Sequence, residues 1–368
     1  PLLVSVRSGA AVSMPGMMDT VLNLGLNENS IRSLISKTGN PRFVWDAYRR
    51  FIQMFGDVVM GIPHHAFEEA LDGVKAGKGV ELDTDLSTDD LKEVVAEFKR
   101  IYDSEIGKPF PENPWDQLKL SIDAVFGSWN NARAIRYRQI NAITGLIGTA
   151  VNVQTMVFGN MGDASGTGVC FTRNPSNGEN EFYGEYLMNA QGEDVVAGIR
   201  TPKPISTLRA VNEEAYDELL RIRTILEEHY LDMQDIEFTI QEEKLYILQT
   251  RTGKRTVFAA LNIAVDMVKE GLIDSKTALG RVPTASFNQL FAPVLDKVGK
   301  ARAKYLTTGL SASPGGACGK AVFTASDAEE WSARGEDVIL CRKETSPEDI
   351  GGMSVSSGII TSRGGMTS

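Results

Sequence analysis

The sequence predicts a chain of mixed α/β (α+β) class built from more than one domain. Three patterns carry that expectation. Residues 40–150 repeat their apolar positions at helical spacing. The segments on either side, near 2–6 and 151–251, carry strand-like patterning. A last stretch, from about residue 309, holds short strands between short helices. The 368 residues are 42% hydrophobic and 23% charged, a globular balance with length enough for two or three domains.

Taken in order, Leu2–Val6 reads as a short buried strand and Arg7-Ser8-Gly9-Ala10 as a polar turn. Ser13-Met14-Pro15-Gly16-Met17-Met18-Asp19 reads as a loop marked by Gly and Pro. Within the helical block, Ser87 is placed as an N-cap with Asp90 three residues on. Leu91, Val94, Val95, Phe98, Ile101 and Tyr102 then recur at helical spacing. Asp72–Asp85, rich in Gly and charge, reads as an exposed connection. Val151–Phe158 is strand-like, and Gly159–Gly168 reads as a Gly-rich loop. Asn212 is placed as the cap of a helix carrying Leu219, Leu220, Ile222, Leu226 and Tyr230. Ile236–Arg251 reads as a hairpin, Thr256–Gln289 as helical and Phe291–Leu310 as a linker. Lys320–Thr324, Asp337–Cys341 and Gly358–Thr361 are expected as three strands of a small α/β sandwich.

The bulk numbers exclude several functions. No run of 18 apolar residues occurs, so no membrane span is expected. Pro1–Val6 lacks the basic flank of a signal peptide. A net charge of -10 argues against a nucleic-acid partner. Cys170, Cys318 and Cys341 are odd in number and far apart; they read as reduced, half-buried thiols that suit an intracellular, reducing compartment. His64, His65 and His229 have no metal-ligand or triad partner at a recognisable spacing and read as structural. Both ends are expected to be cut: Pro1 enters a strand with no preceding turn, and Ser368 stops inside a strand-to-helix turn.

The hairpin carries the clearest chemistry. Side chains alternate faces along a strand, so Asp235 and Glu237 share one face, as do Gln249 and Arg251. A three-residue loop, Glu242-Glu243-Lys244, would pair Glu237 with Gln249 and Asp235 with Arg251 and align all four. A two-residue loop would put them on opposite faces. Carboxylate and amide oxygens suit Mg2+, and Arg251 can fork onto a phosphate or a carboxylate. The alternative is a solvated strand face with cross-strand salt bridges. In the Gly159–Gly168 stretch, Gly166 and Gly168 would let backbone N–H groups approach an anion, or the stretch is an ordinary turn. Arg7 is a phosphate contact or a surface ion pair.

Several stretches, taken together and in order, resemble the pyruvate, phosphate dikinase family. They are Ser5-Val6-Arg7-Ser8-Gly9-Ala10, Ser13 through Gly25, Ser165-Gly166-Thr167-Gly168-Val169 with Thr172-Arg173-Asn174-Pro175, and Ala190 through Val196. Asp235-Ile236-Glu237-Phe238, Leu248-Gln249-Thr250-Arg251 and Gly364-Gly365-Met366-Thr367-Ser368 complete the set. The resemblance implies an ATP-grasp nucleotide-binding unit over 1–253, with 40–150 as a mostly helical insert. It implies a helical segment and hinge over 254–308 and the start of a swivelling phosphohistidine domain over 309–368. A C-terminal barrel for pyruvate and phosphoenolpyruvate would follow. The implied reaction converts ATP, phosphate and pyruvate to AMP, pyrophosphate and phosphoenolpyruvate, with Mg2+ and a monovalent cation, NH4+ or K+. A homodimer is implied through the barrel.

Carried over by position, the resemblance makes Arg7 a nucleotide-phosphate contact. It makes Gln154 to Val157, Met156 included, the hinge around adenine. Ser165, Gly166, Thr167 and Gly168 become the glycine loop over the phosphates, and Glu193 a nucleotide contact. Asp235 and Arg251 contact the triphosphate, and Glu237 and Gln249 bind the metal. The catalytic histidine is expected directly after Ser368, so this chain alone is expected to be inactive. Thr367 is the position that plant members phosphorylate; phosphate there would add roughly two negative charges beside the histidine. The nearest rival is a phosphoenolpyruvate synthase, which uses water as acceptor. A non-catalytic nucleotide-binding fragment is the rival of another class. Cytoplasm, plastid and glycosome are not distinguished.

Overall fold

In the computed structural model, described for residues 2–14, 16–197, 200–282, 294–307, 309 and 315–362, the chain divides into two compact units, Pro1–Met156 and Val157–Ser368. The first unit holds a three-stranded antiparallel sheet. β1 (Val4–Gly9) lies between β2 (Thr20–Leu24) and β3 (Ala150–Thr155). The expected turn at Arg7–Ala10 is therefore strand as far as Gly9. The composition of those residues is turn-like, but β3, far along the chain, pairs residue for residue from Val4↔Thr155 to Gly9↔Ala150, and tertiary pairing overrides local preference.

The helical block holds helices Pro41–Met54, His64–Lys78, Thr88–Ile106, Pro114–Gly127 and Ala132–Ile140. A further helix, Glu28–Thr38, precedes it and was not expected; Asn27 caps it in a reciprocal box with Ser30. The Ser87 cap is a true capping box: Ser87 Oγ accepts from Asp90 N–H while Asp90 Oδ2 accepts from Ser87 N–H at 2.9 Å. Phe110 anchors the core, with the rings of Phe51, Phe55 and Tyr102 centred 5.5, 5.4 and 5.2 Å away, edge-on. The expected connection at Asp72–Asp85 begins later than its composition suggested. His64–Lys78 runs helical through Gly73 and Gly77 because Phe67 and Leu71 bury its inner face, and Gly79 closes it at φ 71°.

The second unit is built on a five-stranded antiparallel sheet. Its strands are β4 (Gly166–Phe171), β5 (Tyr183–Met188), β6 (Lys203–Pro204), β7 (Gln234–Gln241) and β8 (Lys244–Thr252), in the order β6-β5-β4-β7-β8. One face is apolar. Cys170, Tyr186, Ile236, Phe238, Ile240 and Leu245 pack there with Ala215 and Leu219 of the Asn212-capped helix Glu213–Tyr230. Helices Val257–Lys269 and Ser275–Arg281 close a second cluster around Met233, Ile263 and Met267.

Further on, β9 (Lys320–Val322), β10 (Val338–Arg342) and β11 (Gly358–Thr361) form a parallel sheet in the order β11-β10-β9, at the three expected places. Val322, Val338, Leu340 and Ala328 are its core. The expected linker contains a short helix, Lys297–Arg302; Thr367 and the rest of Gly364–Ser368 lie outside the described residues. All three cysteines are free, but only Cys341 is half-buried: Cys170 is buried and Cys318 exposed. Among the described residues no helix is long and apolar enough to cross a membrane.

Candidate functional site

β7 and β8 do bring Asp235, Glu237, Gln249 and Arg251 onto one face, but not through the three-residue loop that would align them directly. The turn has two residues, Glu242 and Glu243, with Gln241 opposite Lys244. The register holds from there to Phe238↔Ile247 and then shifts by one at a β-bulge. Beyond it Glu237 faces Gln249 and Asp235 faces Arg251. Leu248 is the extra residue, and it undoes the face inversion that a two-residue turn alone would cause.

The two halves of the hairpin need different registers. At the tip, Leu245 packs in the core and Ile247 packs against it. At the base, Gln249 and Arg251 belong on the opposite, polar face. A uniform register would misplace one set, and the bulge reconciles them. The turn itself is held against local preference, since Glu242 and Glu243 sit at φ 49° and 69°. Left-handed backbone costs a non-glycine residue about 1–2 kcal/mol.

Across the sheet, the pairings align Glu185, Val169, Glu237 and Gln249 in one row and Tyr183, Phe171, Asp235 and Arg251 in the next. Glu185 is thus a polar neighbour on the candidate face that could not be found without the β4–β5 pairing. Arg251 Nη2 lies 2.5 Å from Glu237 Oε1 and 3.2 Å from Asp235 Oδ2, so one nitrogen serves both carboxylates. Arg251 Nε is buried and has no hydrogen-bond partner. Burial pushes the Asp235 carboxyl above its ordinary range; Arg251 pulls it down, and Glu237 adds to the rise. Gln249, half-buried, faces the same surface.

The expected glycine loop is shorter than predicted. From Gly166 on it is strand β4, paired on both sides. A Cβ on Gly168 would stand 2.5 Å from Phe238 Cζ, so that glycine answers to sheet packing. Thr167 is buried and its hydroxyl donates to the Phe238 carbonyl at 3.0 Å. Ser165, also buried, accepts at Oγ from the Glu242 N–H at 3.0 Å. Glu193 belongs to helix Gly192–Ala197, but its side chain lies outside the description.

Arg7, Gln154 and Met156 belong to the first unit. Arg7 is opposite Thr20 and Asn152, and its Nε donates to Ser5 Oγ at 3.2 Å. Ser5 is opposite Gln154 and its Oγ donates to the Gln154 carbonyl at 3.4 Å. Met156 N–H donates to the Leu3 carbonyl at 2.9 Å. Val157, half-buried, opens the second unit. His64 Nδ1 lies 3.0 Å from Asp57 Oδ2, a surface contact in keeping with a structural role.

A family model described as "Pyruvate phosphate dikinase, AMP/ATP-binding domain" matches residues 1–209 and 204–271. A second, "PEP-utilising enzyme, mobile domain", matches residues 334–368. Among curated proteins, the chain is 59% identical over its whole length to "Pyruvate, phosphate dikinase, chloroplastic" of Flaveria pringlei, covering 38% of that protein. It is 60% identical to "Pyruvate, phosphate dikinase 1, chloroplastic" of Oryza sativa subsp. japonica, covering 39%. It is 58% identical to "Pyruvate, phosphate dikinase 2" of Zea mays, covering 42%. In each case 100% of this chain is aligned, so it spans about two fifths of the length of these relatives.

Proposed function

Because this chain belongs to the pyruvate, phosphate dikinase family, we propose that it carries the ATP-binding step of the dikinase reaction, with the polar face of β7 and β8 receiving the triphosphate. The observation that carries this reading is the composition of that face. Asp235, Glu237, Gln249 and Arg251 converge on a sheet whose other face is sealed core. A bulge departs from regular pairing to bring them there.

The donor set fits Mg2+. Glu237 and Gln249 offer hard oxygens from directly opposed positions. Among the described residues there is no group of three or more His, Cys, Asp and Glu side chains that could hold a metal ion. Mg2+ commonly takes one or two protein ligands and completes its shell with phosphates and water. When bound, Mg2+ would neutralise charge on the triphosphate.

The protein's own residues do the rest. Arg251, its side chain 21% exposed on this face, would turn its guanidinium fork toward a phosphate oxygen. Asp235, 3.2 Å from Arg251 Nη2, would hold that guanidinium in place on the face. Within the first unit, Arg7 would be a nucleotide-phosphate contact, and Gln154 and Met156 would belong to the adenine hinge. Glu193 would be a further nucleotide contact, and the tip of the Gly159–Gly168 segment would offer backbone N–H groups.

The complete reaction is part of the same proposal: ATP, phosphate and pyruvate to AMP, pyrophosphate and phosphoenolpyruvate, through a histidine that carries the transferred group, with NH4+ or K+ as monovalent cation. The mobile-domain match at 334–368 supports a carrier that follows the nucleotide unit.

The test is equilibrium binding of Mg-ATP to the whole protein. Glu237→Gln and Gln249→Ala should each weaken it by about tenfold or more, the worth of a charge-assisted contact, with thermal stability kept. Unchanged affinity in both variants refutes the assigned face. Retention of label from β-labelled but not γ-labelled ATP on the protein, with pyrophosphate release requiring phosphate, supports the dikinase chemistry. Release without phosphate supports water as the acceptor.

A further inference from the structure

We propose that Ser165 is a positioning residue. Its buried hydroxyl braces the Glu242–Glu243 turn and so keeps the hairpin in the split register that sets Glu237 opposite Gln249.

Tight two-residue hairpin turns with both central residues left-handed favour Asn-Gly or similar pairs. Here both places are glutamate, at φ 49° and 69°, so the turn's own chemistry does not select it. Selection comes from outside the hairpin. Ser165 Oγ accepts from the Glu242 N–H at 3.0 Å, and the neighbouring Ala164 carbonyl accepts from the Glu243 N–H at 2.8 Å. Asn212, the cap of the helix beneath the sheet, donates from Nδ2 to the Glu243 carbonyl at 3.0 Å. The turn is therefore anchored on two sides, by the Ala164–Ser165 segment and by Asn212 at the helix cap.

Ser165 is itself fixed. It is 1% exposed, its N–H donates to the Gly162 carbonyl at 3.0 Å, and its carbonyl accepts from Asn189 N–H at 2.7 Å. Its hydroxyl points at the turn from a rigid seat, just before the strand that pairs with β7.

The consequence follows from the registers. With the tip held, Leu245 and Ile247 stay with the core, and the shift to the base register has to fall between them and Gln249. With the tip released, the competing three-residue loop keeps the base pairing but turns Leu245 and Ile247 toward the polar face. The hairpin then samples both arrangements, and the Glu237–Gln249 pair is no longer preorganised.

This inference rests on the Mg-ATP reading for its functional half, so the experiment has an arm that needs no nucleotide. The whole protein is compared with Ser165→Ala, with E242N/E243G, and with the triple variant. Amide hydrogen exchange is followed in the peptide covering 238–247, and Mg-ATP affinity is measured separately. Ser165→Ala should speed exchange in that peptide and weaken Mg-ATP binding by about tenfold, as expected for one lost buried hydrogen bond. An Asn-Gly turn adopts the left-handed conformation unaided, so the triple variant should recover both readouts to within about twofold of the parent. Unchanged exchange in Ser165→Ala overturns the brace. Recovered exchange without recovered affinity also overturns it, because the hydroxyl would then act on the nucleotide directly. If the parent binds no Mg-ATP, the nucleotide reading fails, and the exchange arm still decides whether Ser165 holds the turn.

Discussion

Replacing Arg251 with methionine leaves two carboxylates, Asp235 and Glu237, side by side on one partly buried face of β7. The cost can be bracketed. Breaking a fully buried ion pair by removing one partner costs about 3–5 kcal/mol. An exposed pair is worth about 0–1 kcal/mol. The side chains of Arg251, Asp235 and Glu237 are 21%, 11% and 25% exposed, nearer the buried case but wet at the rim. That places Arg251→Met at about 2–3 kcal/mol, or a fall in Tm of roughly 4–12 °C for a unit of this size. The penalty depends on pH. The Asp235 carboxyl is raised in the fold, so its contribution to stability is present below the ordinary carboxylate range and is lost as pH rises through the raised value. Without Arg251 that rise is larger. The variant should therefore be most destabilised near pH 7 and recover part of its deficit by about pH 4–5. Arg251→Lys separates the two roles of the residue. One nitrogen reaches both carboxylates, so an ammonium can replace it, and stability should stay within about 1 kcal/mol. The fork for phosphate is lost, and Mg-ATP affinity should still fall by about tenfold. The measurements are thermal unfolding at both pH values and equilibrium binding. Equal stability of Arg251→Met and parent, or a deficit that is the same at pH 7 and pH 4.5, refutes the reasoning.

Other perturbations test other parts of the fold. Arg173 is fully buried between Glu227 at 2.6 Å and Glu270 at 2.5 Å, so Arg173→Met should cost about 3–5 kcal/mol in urea unfolding. Gly168→Ala would put a methyl 2.5 Å from Phe238 Cζ and 2.6 Å from the Glu185 carbonyl; a loss of about 1–3 kcal/mol or more, with loss of Mg-ATP binding, should show in thermal shift and titration. Cys318 is exposed, whereas Cys170 is buried with its thiol pushed well above its usual range, so peptide mapping after alkylation of the folded protein should find Cys318 modified and Cys170 protected.

Local signals in the sequence were sufficient where local physics decides. The Ser87 box and the Asn212 cap are short-range hydrogen-bond patterns, and both occur as read. The three short strands after residue 309 are bounded by turns and also appear where expected. The hairpin shows where such reading stops. Alternation puts Asp235 with Glu237 and Gln249 with Arg251, but it leaves the loop length open, and the chain takes the two-residue turn with a bulge in place of the three-residue loop. A bulge adds one residue silently, and no composition marks Leu248 as the extra one. Arg7 and Gly166 read as turn residues because their neighbours are small and polar. Both are strand because partners distant in sequence, β3 for Arg7 and β5 and β7 for Gly166, complete their hydrogen bonding. Glu185 could not be singled out at all until the β4–β5 register was known.

The bulge has a further effect, on how the folded chain meets other copies of itself. β8 is the last strand in its sheet order among the described residues. A flat edge strand offers an even row of N–H and C=O groups on which another polypeptide can build, the first step toward intermolecular sheets. The shift at Leu248 breaks the spacing of that row midway and sharpens the local twist, and Lys244 sets a charge near one end. An irregularity that orients two polar side chains thus also makes the sheet margin a poor template, so colloidal behaviour and site geometry are tied to the same extra residue. Excising Leu248 should be felt in solubility on concentration as well as in binding.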